Sequence, residues 1–226
     1  MAELVYSPLF GIALSIFAFQ GGLWINKKVQ RPWANPLIIA MALIVGVLLL
    51  FDIPYAAYEG GGAIIQLFLA PVTAALALTI YRQRKVIKEQ FLPIFLGTFL
   101  GSLSAVGSVL LTSRLLGLDA TLVASLFPKS VTTAVAIALA ESLGGIAALT
   151  IASTVITGLA GNLLAPYLIR LFRISDPVAQ GVAIGTASHA LGTSKAIEIG
   201  EIQGAMSSIS ISLSAVWTVV FASLFF

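Results

Sequence analysis

Two short stretches carry almost all the side chains of this chain that could do chemistry. The first, Ser125 to Thr133 (SLFPKSVTT), sets Pro128, Lys129 and the hydroxyls of Ser130, Thr132 and Thr133 between long apolar runs. An ammonium group in lipid-phase sequence costs roughly 3 kcal/mol or more unless water, a partner or a ligand receives it. The second, Gly185 to Ala196 (GTASHALGTSKA), carries Thr186, Ser188, His189 (the only histidine), Gly192, Thr193, Ser194 and Lys195, and leads into Glu198 and Glu201. Two cations and several hydroxyls at two interruptions make a receptor for a small anion, provided the stretches meet inside a membrane domain.

Each residue has a plainer reading beside that one. Pro128 stops a helix, so Ser130, Thr132 and Thr133 open a new half-helix whose free N–H groups and positive dipole end favour an anion. The alternative is a Lys129 that snorkels to an interface and a Ser130 that only caps. Gly185 and Gly192 allow unusual backbone angles. Lys195 and Glu198, three apart, can pair on one face, as can Glu198 and Glu201 if one holds a proton. His189 titrates near neutral pH and suits proton coupling, or is a hydrogen-bonded structural residue. Glu141 is either a coupling carboxylate or an end-of-helix residue facing water, and Glu198 is a third coupling candidate. Asn162 needs an interhelical partner. One histidine and no cysteine argue against a metal site, and no cofactor is implied. No G-x-S-x-G, H-E-x-x-H or P-loop pattern occurs, so no catalytic residue is assigned and an enzyme reading lacks support.

The elements that position these residues are membrane helices. The 226 residues are 59% hydrophobic and only 9% charged, against about a quarter charged in soluble domains. The net charge of +3 sits in short loops, where it sets topology and makes no face for nucleic acid. The acidic start (Glu3), with no basic n-region, argues against a cleaved signal peptide. A bilayer core takes about 20 apolar residues per helix, and six runs qualify: Pro8 to Ile25, Leu37 to Phe51, Ala63 to Tyr81, Phe91 to Leu111, Gly145 to Tyr167 and Gly204 to Phe226. Between the second and third lies an acidic, glycine-rich loop (Asp52, Glu59 to Gly62). The fourth run is studded with Gly97, Gly101, Ser104 and Gly107, which let helices approach closely.

Basic loops at Lys27, Lys28 and Arg31, and at Arg82 to Lys88, mark the cytoplasmic side and put the amino terminus outside. Asp119 to Glu141 and Val178 to Gly200 are interrupted. Bringing Arg170 and Arg173 inside needs the first of these to enter and return on one side. Breaks are expected at Pro71 and Thr73, at Pro128 and around Gly185 to Thr193, and backbone exposed at such depth must be buried in protein or line a wet cavity. The expected fold is an all-α polytopic membrane protein of about six full transmembrane helices plus two broken or re-entrant ones. It forms a single integral membrane transport domain (1–226), with a four-helix first half (1–112) and a second half (113–226) holding both broken helices. The strings SVTTAVAIALAESLGG and GTSKAIEIGEIQG share an order of hydroxyl, small apolar, glutamate and glycine, compatible with an internal inverted repeat.

At PKSVTT, ESLGG and GTASHALGTSKAIEIGE the sequence resembles the LrgB (CidB) family of bacterial inner-membrane proteins, and is similar to the carboxy-terminal half of the plastidal glycolate/glycerate translocator. The resemblance covers nearly the whole chain and is strongest from Phe127 to Gly204. It implies a multi-pass protein of the bacterial cell membrane, named antiholin-like for effects on murein hydrolase activity and lysis, and working with a small LrgA/CidA-type partner. It also implies transport of short monocarboxylates of the glycolate, glycerate, pyruvate or lactate class. The family pattern maps onto Pro128, Lys129, Ser130, Thr132, Thr133, Ser188, His189, Gly192, Thr193 and Glu198. Thr193, Ser194, Lys195 departs from the commoner T-A-[KR], with the basic character kept. Residues and resemblance agree on a small organic anion, and charge balance points to a proton travelling with it. Scaffolds of this kind often form homodimers.

Overall fold

The computed structural model describes residues 5–29, 35–68, 71, 74, 78 and 80–226. Every element among them is a helix, and the chain falls into two compact units, Met1–Ala75 and Leu76–Phe226. In the first unit, α1 (Pro8–Val29), α2 (Pro36–Leu50) and α3 (Tyr55–Gln66) pack through small residues. A Cβ on Gly11 would lie 2.9 Å from the Gly61 Cα, and the Ser15 and Tyr58 hydroxyls pair at 2.9 Å beside that crossing. The acidic loop expected around Glu59 to Gly62 is therefore helix. Backbone contact with α1 offsets the entropy glycine loses in a helix, roughly 1 kcal/mol each. Of the break expected at Pro71 and Thr73, Pro71 is helical and Thr73 lies outside the described residues.

The second unit starts with the short basic helix α4 (Arg84–Glu89) and the long span α5 (Phe91–Leu116). It continues through α6 (Ala120–Leu126), α7 (Thr133–Ser142), α8 (Ala147–Leu171), α9 (Pro177–Ile199) and α10 (Glu201–Phe225). Among the described residues, α1, α5, α8 and α10 are long and apolar enough to cross a bilayer, while α2 is apolar but shorter. This is an all-α, multi-pass membrane protein. By packing, α5 belongs with the carboxy-terminal helices, since it lies against α9 and α10.

Neither broken segment crosses. After α5 ends at a left-handed Gly117, the Asp119 carboxylate caps α6 by accepting from the Leu122 N–H at 2.8 Å. The chain descends until Phe127 packs on Val106 of α5, turns over 127–132 around Pro128, and climbs back as α7. The return is tight: a Cβ on Gly145 would sit 3.0 Å from both the Ala124 carbonyl carbon and the Ala140 carbonyl oxygen. Residues 119–142 thus form a helical hairpin entering and leaving on one side.

α9 repeats the plan upside down. α8 is followed by a left-handed Arg173 (φ 53°), and the Asp176 carboxylate caps α9 by accepting from the Ala179 N–H at 2.9 Å. Backbone angles are non-helical at His189 (φ 41°, ψ −142°), which splits α9 into arms 177–188 and 190–199. The arms fold back on each other: Gly185 and Thr193, on opposite arms, both meet Ser207, and Gln180 and Ile197 both reach the first turn of α10. Within the stretch 185–193 expected to be interrupted, the break falls at His189, while Gly185 stays helical and lets the first arm approach the α10 backbone.

Span, left-handed turn, aspartate cap and hairpin occur twice, with α5 and α8 running in opposite directions. The two hairpins accordingly enter from opposite sides. α4 packs on the start of α5, and Arg170 and Arg173 close α8 at the same end, so the positive-inside rule makes this the cytoplasmic face. Ile94, Val178, Val182 and Met206 form the core around the inner hairpin; Val106, Phe127, Phe221 and Ala222 form that around the outer one. Trp217 joins the two, edge-on to Phe95 and Phe99 with ring centroids 5.0 Å away in each case.

Candidate functional site

The tips of the two hairpins come together about midway along α5. A cavity of about 670 Å³ runs along α5 past Pro93, Gly97, Gly101, Ser104 and Ala105, faces the first arm of α9, and ends on Lys129 and Ser130 of the outer hairpin. Asp176 marks its other end, which lies toward the cytoplasmic face. Lys129 is half-buried, and its only polar contact among the described residues is a long one, Nζ to Ser130 Oγ at 3.5 Å. Lys195 with Glu198 is the only salt bridge among the described residues. The Lys129 ammonium thus faces a mostly apolar cavity with no ion-pair partner, the Asp176 carboxylate lying at the opposite end, and such a group calls for water or an anionic ligand.

The outer tip is held from α8. Ser125 Oγ donates to the Thr121 carbonyl and accepts from the Ile146 N–H, both at 2.7 Å, and the Thr150 hydroxyl donates to the Ser125 carbonyl at 2.9 Å. Thr150 in turn receives the Thr154 hydroxyl on its carbonyl at 2.7 Å. The Thr154 carbonyl takes the inner tip, accepting from His189 Nε2 at 2.9 Å; because a carbonyl only accepts, Nε2 carries the proton. On the far side of His189, Thr193 Oγ1 reaches the His189 carbonyl at 2.9 Å and Ser207 Oγ of α10 at 2.7 Å. A run of buried hydrogen bonds therefore ties α10, both hairpins and α8 together.

Glycines make this approach possible. A Cβ on Gly158 would stand 2.6 Å from His189 Cε1, one on Gly161 would overlap the Ser188 side chain, and one on Gly101 would meet Thr186 Cγ2 at 2.6 Å. Thr186 is the residue that the sequence leaves inconspicuous, as one hydroxyl among several. Its side chain lines the cavity, and its oxygen is buried with no hydrogen-bond partner among the described residues. An unsatisfied buried hydroxyl costs about 1–3 kcal/mol.

The other sequence candidates are distributed as follows. Pro128 is buried in the outer turn, Thr132 is the N-cap of α7 and Thr133 its first residue, and neither threonine lines the Lys129 cavity. Ser188, His189, Gly192 and Thr193 are buried in the inner tip, where they pack on α8, on each other and on α10. The shared chamber for Lys129 and Lys195 does not form: Lys195 does not line the cavity and is bonded to Glu198, three residues on, on the outer face of the second arm. Glu141 is exposed at the end of α7. Among the coupling candidates His189, Glu141 and Glu198, none lines the cavity. Asn162 donates to the Leu191 carbonyl at 2.7 Å and to Ser194 Oγ at 3.1 Å, an interhelical role. A second, almost wholly apolar cavity of about 370 Å³ lies between α8 and α9.

The LrgB-like family profile matches residues 15–226. The chain belongs to the LrgB family. Similar proteins of Bacillus subtilis (strain 168) include the uncharacterized protein YwbG, 36% identical over 95% of both chains, and the uncharacterized protein YxaC, 38% identical over 91% of this chain and 89% of that one. The antiholin-like protein LrgB of the same strain is 34% identical over 99% of this chain and 97% of its own. No solved structure matches this LrgB-family chain.

Proposed function

We propose that this LrgB-family protein is a carrier for short monocarboxylates, with the anion received by Lys129 and Ser130 at the tip of the outer hairpin. One observation carries the reading: a single ammonium without an ion-pair partner closes one end of a cavity whose one carboxylate, Asp176, lies at the other end and whose wall between them is hydroxyls and apolar side chains. One cation suits one carboxylate, and an apolar site with a few polar groups suits a small organic acid. The opposed hairpins fit a carrier as well, because such breaks bring half-helix ends to a binding site away from lipid. The test is binding and flux with purified full-length protein against glycolate, glycerate, lactate and pyruvate, with Lys129→Met as the control. Ligand that binds the folded form raises apparent stability. Lys129→Met is expected to keep its fold and lose both the shift and the flux; full binding by the variant would reject the reading.

The antiholin-like name of one relative favours a second reading; joined to what the family resemblance implies, it is an antiholin-like regulatory subunit that controls murein hydrolase export and lysis with an LrgA/CidA-type partner. On that reading Lys129→Met leaves no transport to lose and changes lysis through a partner contact. The readings coexist if carboxylate flux is what alters lysis.

A further inference from the structure

We infer that Thr186 is the specificity-determining residue of the Lys129 cavity, its hydroxyl binding a second oxygen, 2-hydroxy or 2-oxo, of an anion whose carboxylate sits at Lys129 and Ser130. This rests on the carrier reading. Three observations lead to it. Several helical threonines and serines in this chain bond back to their own preceding turn, among them Thr98 to Phe95, Thr112 to Ser108, Ser210 to Met206 and Thr218 to Ser214. Thr186 sits in the helical arm 177–188 and makes no such bond.

The second observation is its place. Ser102, Ser113, Ser214 and the Trp217 indole are also buried without partners, but Thr186 alone of these groups lines the cavity that holds Lys129. Thr186 and Lys129 belong to different hairpins and line one cavity. The third is its packing. The methyl group faces Gly101 of α5, where a Cβ would stand 2.6 Å from Cγ2 and 3.9 Å from Oγ1, so the bare glycine is what leaves this side chain its seat. A site built to hydrogen-bond a substrate hydroxyl rejects the analogue that lacks it, because its own polar group is then left unpaired.

Glycolate and acetate differ by that one hydroxyl. Binding of each is measured by titration calorimetry on the full-length chain in wild type, Thr186→Val, Thr186→Ser and Lys129→Met. Wild type is expected to prefer glycolate by about tenfold or more. Thr186→Val should bring glycolate down to the acetate level while acetate binding stays within about twofold, and Thr186→Ser should keep the preference. Should Thr186→Val not fold, Gly101→Ala, which pushes the same side chain from its seat, is expected to erase the preference in its place. An undiminished glycolate preference in Thr186→Val or Gly101→Ala, or none in wild type, overturns the inference. Failure of the carrier reading looks different: Lys129→Met would bind both acids like wild type.

Discussion

Residue 189 should reverse the usual ranking of alanine and glycine. In a helix interior glycine is worse than alanine by about 1 kcal/mol. At φ 41° and ψ −142° the backbone of His189 lies where a side chain is strained, by about 1–3 kcal/mol, and where glycine is not. His189→Ala and His189→Gly both lose the bond to the Thr154 carbonyl and both empty the space beside Gly158, so those losses cancel between them. What remains is the strain relieved by glycine less its greater unfolded-state entropy of roughly 0.5–1 kcal/mol. The net centres on about 1 kcal/mol in favour of glycine. For a chain of this length that corresponds to about 2–4 °C in melting temperature. The assay is thermal unfolding of the full-length protein in detergent, followed by tryptophan fluorescence. His189→Gly should melt above His189→Ala and both below wild type. An alanine variant at least as stable as the glycine variant would refute the strained tip and, with it, the placement of the reversal at this residue.

Two more outcomes follow from the same packing. Gly161→Ala should cost roughly 1–3 kcal/mol by forcing its new methyl into Ser188, visible as a lower melting temperature, whereas Gly46→Ala, with open space around it, should not. Lys195→Ala should leave monocarboxylate binding within about twofold of wild type, as expected for an exposed pair worth at most about 1 kcal/mol, and loss of binding would put Lys195 back at the site.

Much of this architecture is legible in the chain because membrane sequence is nearly binary. A lysine and a proline at 128–129, or hydroxyls clustered at 185–194, violate a lipid-facing run and so announce a break. The place of the inner reversal is not legible. Gly185 and Gly192 look like the flexible points, yet both serve close packing, on Ser207 and on Ser188 with Ile184, while the unusual backbone falls on a histidine. That position is fixed by tertiary contacts, the ring on α8 and the carbonyl held by Thr193, which leave no local trace. Lys195 misleads for a related reason: a cation beside a break suggests a ligand, but a glutamate three residues on is close enough to satisfy it. Thr186 is hidden by the regularity of its own helix, and only Gly101, 85 positions upstream, reveals it.

The short arms of the outer hairpin decide what holds it in the membrane. Helices of 7 and 10 residues, rising about 1.5 Å per residue, reach some 10–15 Å and cannot span a hydrocarbon core of about 30 Å. The outer hairpin is therefore no span of its own, and what keeps it at depth is protein: Phe127 against Val106 of α5, and the hydrogen bonds that Ile146 and Thr150 make to Ser125.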